Sequence, residues 1–341
     1  MRRELVCTQA GTPPHLAVRT TPMPQPGPGE VLVRVQATSV NPIDTKRAEG
    51  YGQRLLGLKG AARFPLVLGN DVAGVVQAIG ANVNRFAPGQ QVFGLLGTGR
   101  QGGAHASHVL VAQDLLVTAP DNTDPSTLAV LPYSFTTLWL ALRATGLNAG
   151  NARGKRVLIH GANGGLGRLA LQVLVPWGCD VTAICGKGER QVGLELGARI
   201  AVEYGPHCIA ALPTDFDVVL NFANWNDDGL LAAHLGPDAR GQATTVHPLL
   251  SNFDRLGWLK GAWASHRDRS KVRSVVASRA PKARYAWTIF KPDRDALTAL
   301  AEGVRTRRLG LPVGVTTSLE NAQDAFHHVS AGQPGRAVLL P

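Results

Sequence analysis

The chain has 341 residues, 44% of them hydrophobic and 17% charged, which exceeds one small module and suits two domains of roughly 150 residues each. That hydrophobic share excludes intrinsic disorder, a state that needs low hydrophobicity and high charge. No apolar run nears the roughly 18 residues of a bilayer span. Met1-Arg2-Arg3 leads directly into Glu4 and then strand-like sequence, so neither a secretory signal nor a transit peptide is expected.

Four cysteines (Cys7, Cys179, Cys185 and Cys208) are widely spaced and form no CxxC pair. That usage fits a reducing, cytoplasmic setting. The net charge of +11 is uneven: between Arg255 and Arg308, 14 Lys/Arg stand against Asp268, Asp293, Asp295 and Glu302, a local +10. Basic patches bind phosphate backbones, yet the stretch holds no nucleic-acid module, and basic faces also steer anionic small ligands. A nucleic-acid partner is therefore not expected. A non-catalytic binding protein using this stretch stands as the alternative to an enzyme.

In chain order, the first 120 or so residues read as β. The Pro/Gly run from Pro22 to Gly29 is a surface loop, and Glu30–Val35 alternates as a strand does. Short apolar runs follow at Leu66 to Gly69, Val72 to Ile79, Gln91 to Leu96 and His108 to Ala112. Turn signals such as Ala87-Pro88-Gly89 separate them, which suggests a small barrel-like β domain. Asp124-Pro125-Ser126 is a helix start, with helical apolar spacing from Leu128 to Leu142. Then strands (Arg156–His160, Asp180–Ile184, Ile200–Val202, Phe216–Leu220) alternate with helices (Gly164 to Val175, Glu189 to Leu196), the pattern of parallel βαβ units. A helix over Arg294–Arg305, a strand over Val313–Thr317, a helix over Leu319–Ala331 and a strand over Arg336–Leu340 complete the chain.

The strand Val157-Leu-Ile159 runs into Gly161-Ala162-Asn163-Gly164-Gly165-Leu166-Gly167, which opens a helix. This is the strand–turn–helix setting of a dinucleotide-binding loop: small residues allow a tight turn and a close backbone approach to a pyrophosphate, and the helix N-terminus offers free N–H groups. Asn163, Gly164, Gly165 and Leu166 are the expected phosphate contacts. An NAD-preferring site would carry Asp or Glu at the end of the second strand. Here that strand ends Ile184-Cys185-Gly186-Lys187, with no acid at its tip and Arg190 a turn further on. NADPH is thus expected over NADH, with Gly186, Lys187 and Tyr204 at the 2′-phosphate. In the competing readings, Lys187 and Arg190 are a solvated helix start and Tyr204 is a core tyrosine. Asn221, Phe222 and Ala223, ending the next strand, are expected along the ribose.

Asn41-Pro42-Ile43-Asp44, Phe64-Pro-Leu-Val-Leu-Gly69 with Asp71-Val-Ala-Gly-Val-Val76, and the glycine loop together resemble the medium-chain dehydrogenase/reductase superfamily, in its zinc-free quinone oxidoreductase branch. Leu131-Pro132-Tyr133 with Thr137 and Trp139, Asn252-Phe-Asp-Arg-Leu-Gly257 and Tyr285-Ala-Trp287 are most similar to the reticulon-interacting oxidoreductases. The resemblance covers nearly the whole chain. It implies an α/β protein: a GroES-like catalytic domain over 1–121 and 284–341, and a doubly wound Rossmann domain over 122–283. It also implies NADPH in the interdomain cleft, hydride transfer to a quinone or an α,β-unsaturated carbonyl, and a possible homodimer through edge strands.

The zinc branch places Cys and His where this chain has Asn41 and Gly69-Asn70-Asp71, and its cysteine cluster is missing, so no metal is expected. His105 and His108, read on one strand, and the adjacent His327 and His328 are expected as surface or packing residues. Without a Lewis acid, hydrogen bonds and orientation must do the work. By resemblance, Asn41 lies beside the nicotinamide and substrate carbonyl, Tyr51 lines the substrate mouth, and Thr137 holds the cofactor. Asn41 as an Asx turn before Pro42, Tyr51 as a plain loop aromatic and Asp44 as a helix cap are the competing structural readings. Asn221-Phe-Ala-Asn-Trp225 and Asn70 depart from the branch's usual residues.

Overall fold

A computed structural model of the chain describes residues 1–97 and 103–341. In chain order the N-terminal strands are β1 (Arg2–Gln9), β2 (His15–Thr21), β3 (Glu30–Val40), β4 (Leu66–Val67), β5 (Asp71–Ile79), β6 (Gln91–Leu95), β7 (His108–Ala112) and β8 (Leu116–Thr118). Two short helices, α1 (Pro42–Ala48) and α2 (Gln53–Gly57), interrupt this β region, and α3 (Pro125–Leu128) and α4 (Pro132–Thr145) follow it. The expected single helix from Leu128 to Leu142 is thus two, because Pro132 cannot donate the backbone bond that would continue α3. Asp124 caps α3 by accepting from the Ser126 N–H at 2.9 Å.

Next come β9 (Arg156–His160), α5 (Gly165–Leu174), β10 (Asp180–Cys185), α6 (Arg190–Glu195), β11 (Ile200–Glu203), α7 (Pro206–Ala210), β12 (Val218–Asn221), α8 (Asp228–Ala232), β13 (Gly241–Thr244), α9 (Leu249–Arg279) and β14 (Arg284–Trp287). The chain ends with α10 (Arg294–Arg305), β15 (Val313–Ser318), α11 (Ala322–Ser330) and β16 (Arg336–Leu340). The basic stretch, unassigned by sequence pattern, contains most of α9, which bends where Gly257 takes φ 77° and ψ −169°.

The chain divides into two compact units, residues 1–136 with 291–341, and residues 137–290. These limits fall later than the expected 121/122 and 283/284. Residues 284–287 lie in the second unit because Gly241–Thr244 pairs in parallel with Arg284–Trp287.

In the first unit, β2, β1 and β4 form a three-stranded sheet, and a seven-stranded sheet runs β15-β16-β3-β5-β6-β8 with β7 also paired to β3. Its central strands β3, β5 and β6 are buried over most of their length, and Val31, Val33, Val72, Val92, Val109 and Leu116 pack into one core. A second cluster packs α11 residues Ala322, Ala325 and Phe326 against Leu5, Val40 and Leu339.

In the second unit, a six-stranded sheet runs β11-β10-β9-β12-β13-β14. Every neighbouring pair is parallel. Renumbered within the unit this is the doubly wound order 3-2-1-4-5-6. The strands are near-continuous apolar runs because helices cover both faces; Val157, Leu158 and Ile159 are wholly buried. Leu158 sits in a core with Ile184, Phe216, Val219, Leu231 and Val276. Leu158→Ala should cost about 2–5 kcal/mol through lost burial and an unfilled cavity, read as a lower urea midpoint at unchanged slope.

Candidate functional site

The strand order of the second unit reverses between β9 and β12, and at that point the carboxyl ends of the strands meet the glycine turn. Gly161 has φ +86°, and a Cβ there would lie 3.0 Å from the Ala223 Cβ. A Cβ on Gly167 would lie 2.2 Å from the Gly161 carbonyl oxygen, so only glycine lets α5 start this close to the strand tip. The first bond into the helix is Arg168 N–H to Gly164 O, at 2.9 Å. The N–H groups of Gly165, Leu166 and Gly167 therefore have no acceptor within the helix. Gly164, the exposed N-cap, has no side chain with which to cover them.

Asn163 ties this turn to the loop after β10. Its Nδ2 donates to Glu189 O at 3.0 Å, and its Oδ1 accepts from the Gly186 N–H at 3.0 Å. Lys187 is exposed between them and α6, with Arg190 exposed at the helix start. Sequence reasoning missed two acids here. Glu203, at the end of β11, accepts from the Gly188 N–H at 3.0 Å, and a Cβ on Gly186 would lie 3.0 Å from Glu189 Oε2. Glu203 escapes the pattern of an acid at the second strand's tip because it pairs across to Cys185 from the third.

Tyr204 is not a core tyrosine: it is 45% exposed. It stacks on the His160 ring at 5.2 Å and its hydroxyl accepts from Asn224 Nδ2 at 3.4 Å. His160, the last residue of β9, holds Asp227 Oδ2 through Nε2 at 3.0 Å. Burial pushes its pKa down, against the pull of Asp227.

Asn221 faces inward rather than along the open turn. It is wholly buried, and its Nδ2 donates to Asn224 O at 2.8 Å and to Asp228 Oδ1 at 2.9 Å. Asp228 also accepts from the Tyr285 hydroxyl at 2.6 Å, which in turn accepts from Trp287 Nε1 at 2.9 Å. Burial raises the Asp228 carboxyl pKa, and these donors oppose the rise. His247 lies flat on Trp287 at 4.9 Å, its pKa pushed down to about 4 by burial. Phe222 is half-buried and donates its N–H to His160 O at 3.0 Å, while Ala223 is exposed against Gly161. Thr137 is buried on α4.

In the first unit, Asn41 is the N-cap of α1 and is wholly buried. Its Nδ2 donates to Ser39 Oγ at 3.0 Å and to Asp71 Oδ2 at 2.8 Å, and its Oδ1 accepts from Arg336. Both amide N–H groups are thereby engaged within the unit. Asp71 also accepts from Ser39 Oγ at 2.5 Å and from the Tyr133 N–H at 2.6 Å. Asp44 is the helix cap, accepting from the Asn41 N–H at 2.8 Å, and its other oxygen takes the Gly69 N–H at 3.0 Å.

Gly69 has φ +94°, and a Cβ there would lie 2.3 Å from the His105 ring, so no side chain can stand at this position. His105 is not on a strand with His108, since β7 starts at His108. It is wholly buried, donates from Nε2 to Ser39 O at 2.9 Å, and meets Phe326 edge-on. Tyr51 is half-buried between Gly50 (φ +95°) and Gly52 (φ +83°), with the Lys46 ammonium 5.7 Å from its ring centre.

Asp71 accepts from Ser39, Asn41 and Tyr133, and the Arg336 guanidinium, bonded to Asn41 Oδ1, supplies positive charge beside it. Among the described residues, no group of three or more His, Cys, Asp or Glu side chains is placed to hold a metal ion.

The Alcohol dehydrogenase GroES-like domain family matches residues 27–121. The chain is 32% identical over 335 residues to the NAD(P)H oxidoreductase RTN4IP1, mitochondrial, of Homo sapiens, spanning 92% of this chain and 82% of the relative. It is 34% identical over 209 residues to a chloroplastic quinone-oxidoreductase, QR1, of Triphysaria versicolor, covering 60% of this chain and 62% of the relative. The quinone oxidoreductase structure from Coxiella burnetii superposes with a TM-score of 0.82 at 23% identity, covering 100% of this chain and 99% of that one. A GroES-like β unit and a doubly wound nucleotide-type unit together define a medium-chain dehydrogenase/reductase. The chain belongs to that superfamily, in its quinone oxidoreductase branch, and is an oxidoreductase that uses a nicotinamide cofactor.

Burial raises the Asp71 carboxyl pKa to about 6, against bonds from Ser39, Asn41 and Tyr133 and the charge of Arg336. An acid with a raised folded-state pKa keeps its proton longer when folded, so its contribution is full below the unfolded value and is lost as pH rises through about 6. From pH 4 to pH 7 the stability difference between the native chain and Asp71→Asn should therefore shift by about 2–3 kcal/mol in favour of the variant. Parallel thermal melts across that range check this; a constant difference refutes it.

Proposed function

We propose that the protein is an NADPH-dependent, zinc-independent oxidoreductase acting on a quinone or an α,β-unsaturated carbonyl. The uncovered N-terminus of α5 on the tip of β9 carries this reading: three N–H donors and the positive helix end face one spot where glycine leaves room for a pyrophosphate. When bound, the nicotinamide supplies hydride. Gly164, Gly165 and Leu166 hold the phosphates, Asn163 fixes the turn against the 186–189 loop, and Tyr204 with His160 offers a stacked aromatic surface. Lys187 and Arg190 supply positive charge for a 2′-phosphate, and Ala223 lines the turn. Thr137 holds the cofactor by analogy with the branch.

Tyr51 is the donor we assign toward an acceptor carbonyl, with water completing protonation. Asn41, its amide engaged, acts by holding Asp71 and Arg336 in place. The zinc-free reading is supported by the Arg336 guanidinium beside Asn41 and by the lack of room at Gly69. A dimer through the β14 edge strand is in keeping with that strand's one open side. Free thiols support a reducing compartment; the cytoplasm is one, although the names of the animal relatives say mitochondrial.

NADH is the second reading, favoured by the carboxylates of Glu189 and Glu203, which would repel a 2′-phosphate and can accept from ribose hydroxyls. Fluorescence titration with both nucleotides separates the two. Under the NADPH reading, Lys187→Ala weakens NADPH roughly tenfold to a hundredfold, the scale of one charge-assisted phosphate contact, and leaves NADH nearly unchanged. Equal losses for both refute the assignment. NADPH consumption with a quinone and enone panel should be lowered by Tyr51→Phe mainly in kcat; turnover unaffected by that change removes Tyr51 from the reaction.

A further inference from the structure

The long helix α9 carries apolar side chains that the described residues leave exposed. Beyond the bend at Gly257, Leu259 is 88% exposed and Trp263 is 63% exposed, and Leu256 and Trp258 stand beside them at 44% and 46%. Monomeric surfaces scatter single exposed apolar residues, but Leu259 and Trp263, four positions apart, stack two of the most exposed large ones on one helix face. The opposite side of the same helix is buried through Gly261, Ala264, Ser265, Val272 and Val276. Positions 259, 263, 266 and 270 share one outward face by helical spacing, so the apolar pair leads a face that turns polar toward the C-terminus.

Charge follows the same geometry. Between residues 255 and 273, Arg255, Lys260, Arg267, Arg269, Lys271 and Arg273 stand against Asp268 alone, six minus one, a local +5. Asp268 is itself occupied by Arg267 at 3.1 Å and Asn252 at 3.0 Å. Lys260, Arg267 and Lys271 flank the outward face on one side, and Arg269 and Arg273 on the other. The Arg267 guanidinium lies 5.0 Å from the Trp263 ring centre.

Tryptophan and leucine at the tip of a helix face flanked by basic side chains match the layered chemistry of a lipid headgroup region: apolar below, anionic above. A nucleic acid would use the cations but leave Leu259 in water. A second copy of the chain would bring a like +5 surface against this one. We propose that this face of α9 docks the protein on an anionic phospholipid bilayer, Leu259 and Trp263 entering the acyl boundary and the arginines and lysines meeting the headgroup phosphates. No helix of the described residues is long and apolar enough to cross a membrane, so the attachment is peripheral. It does not depend on which acceptor the enzyme reduces.

Co-sedimentation of the full chain, without nucleotide, tests this with vesicles of equal parts phosphatidylcholine and phosphatidylglycerol against vesicles of phosphatidylcholine alone. The chain should bind the anionic vesicles and not the neutral ones. The pair Leu259→Ser and Trp263→Ser should weaken binding at least about tenfold. The triple Lys260→Gln, Arg267→Gln, Lys271→Gln should weaken it roughly a hundredfold. Both variants should keep native nucleotide binding, which shows that they fold. Failure to bind anionic vesicles, or binding that neither variant weakens, overturns the proposal. So does a serine pair that converts a dimer to monomers in sedimentation velocity, or duplex DNA that the serine pair still retains while outcompeting vesicles.

Discussion

One close approach underlies the second unit: the start of α5 lies against the tip of β9, with the Gly167 Cα where any Cβ would meet the Gly161 carbonyl at 2.2 Å. That contact sets the direction of the helix and leaves its first N–H groups open at the carboxyl edge of the sheet. Asn163 then fastens the turn to the loop after β10, and Gly161 makes room for Ala223 from the tip of β12. Three strand ends therefore converge on one spot because two positions lack side chains.

The first unit is organised around a different constraint, a buried polar centre. Asp71 is enclosed and accepts three hydrogen bonds, and Asn41 links it to Arg336 from the far end of the sequence. Ser39, Asn41, Asp71 and the Arg336 terminal guanidinium nitrogen bond one another, which offsets the cost of burying them. The Asp71 carboxylate oxygens take N–H and O–H donors from within the unit. The exposed face of α9 is the opposite case: Leu259 and Trp263 stand in solvent at 88% and 63% exposure.

The glycine turn was readable from residues because its function needs small side chains in a fixed strand–turn–helix order, all within a few positions. Asp44 as a cap of α1 was readable for the same local reason. Glu203 was not legible because its place depends on the strand beside it: it pairs across to Cys185, just as Tyr204 stacks on His160 from another strand. Asn221 was assigned outward from its place at a strand end, but the Asp228–Tyr285 pair draws its amide inward. The helix over 249–279 has weak inward periodicity because its largest apolar residues, Leu259 and Trp263, lie outside while the buried side is built of small ones such as Gly261, Ala264 and Ser265.

The sequence by itself determined the two-part α/β architecture and the glycine turn, since these follow from periodicity and from steric needs among neighbours in the chain, and it carried the motifs by which the chain resembles its superfamily. Only the tertiary structure decided that the Asn41 amide is spent on Asp71, that two acids attend the loop carrying Lys187, and that Trp263 faces outward. Hydrogen bonds and burial join residues tens to hundreds of positions apart, and no local pattern records which partners a folded sheet will bring within reach.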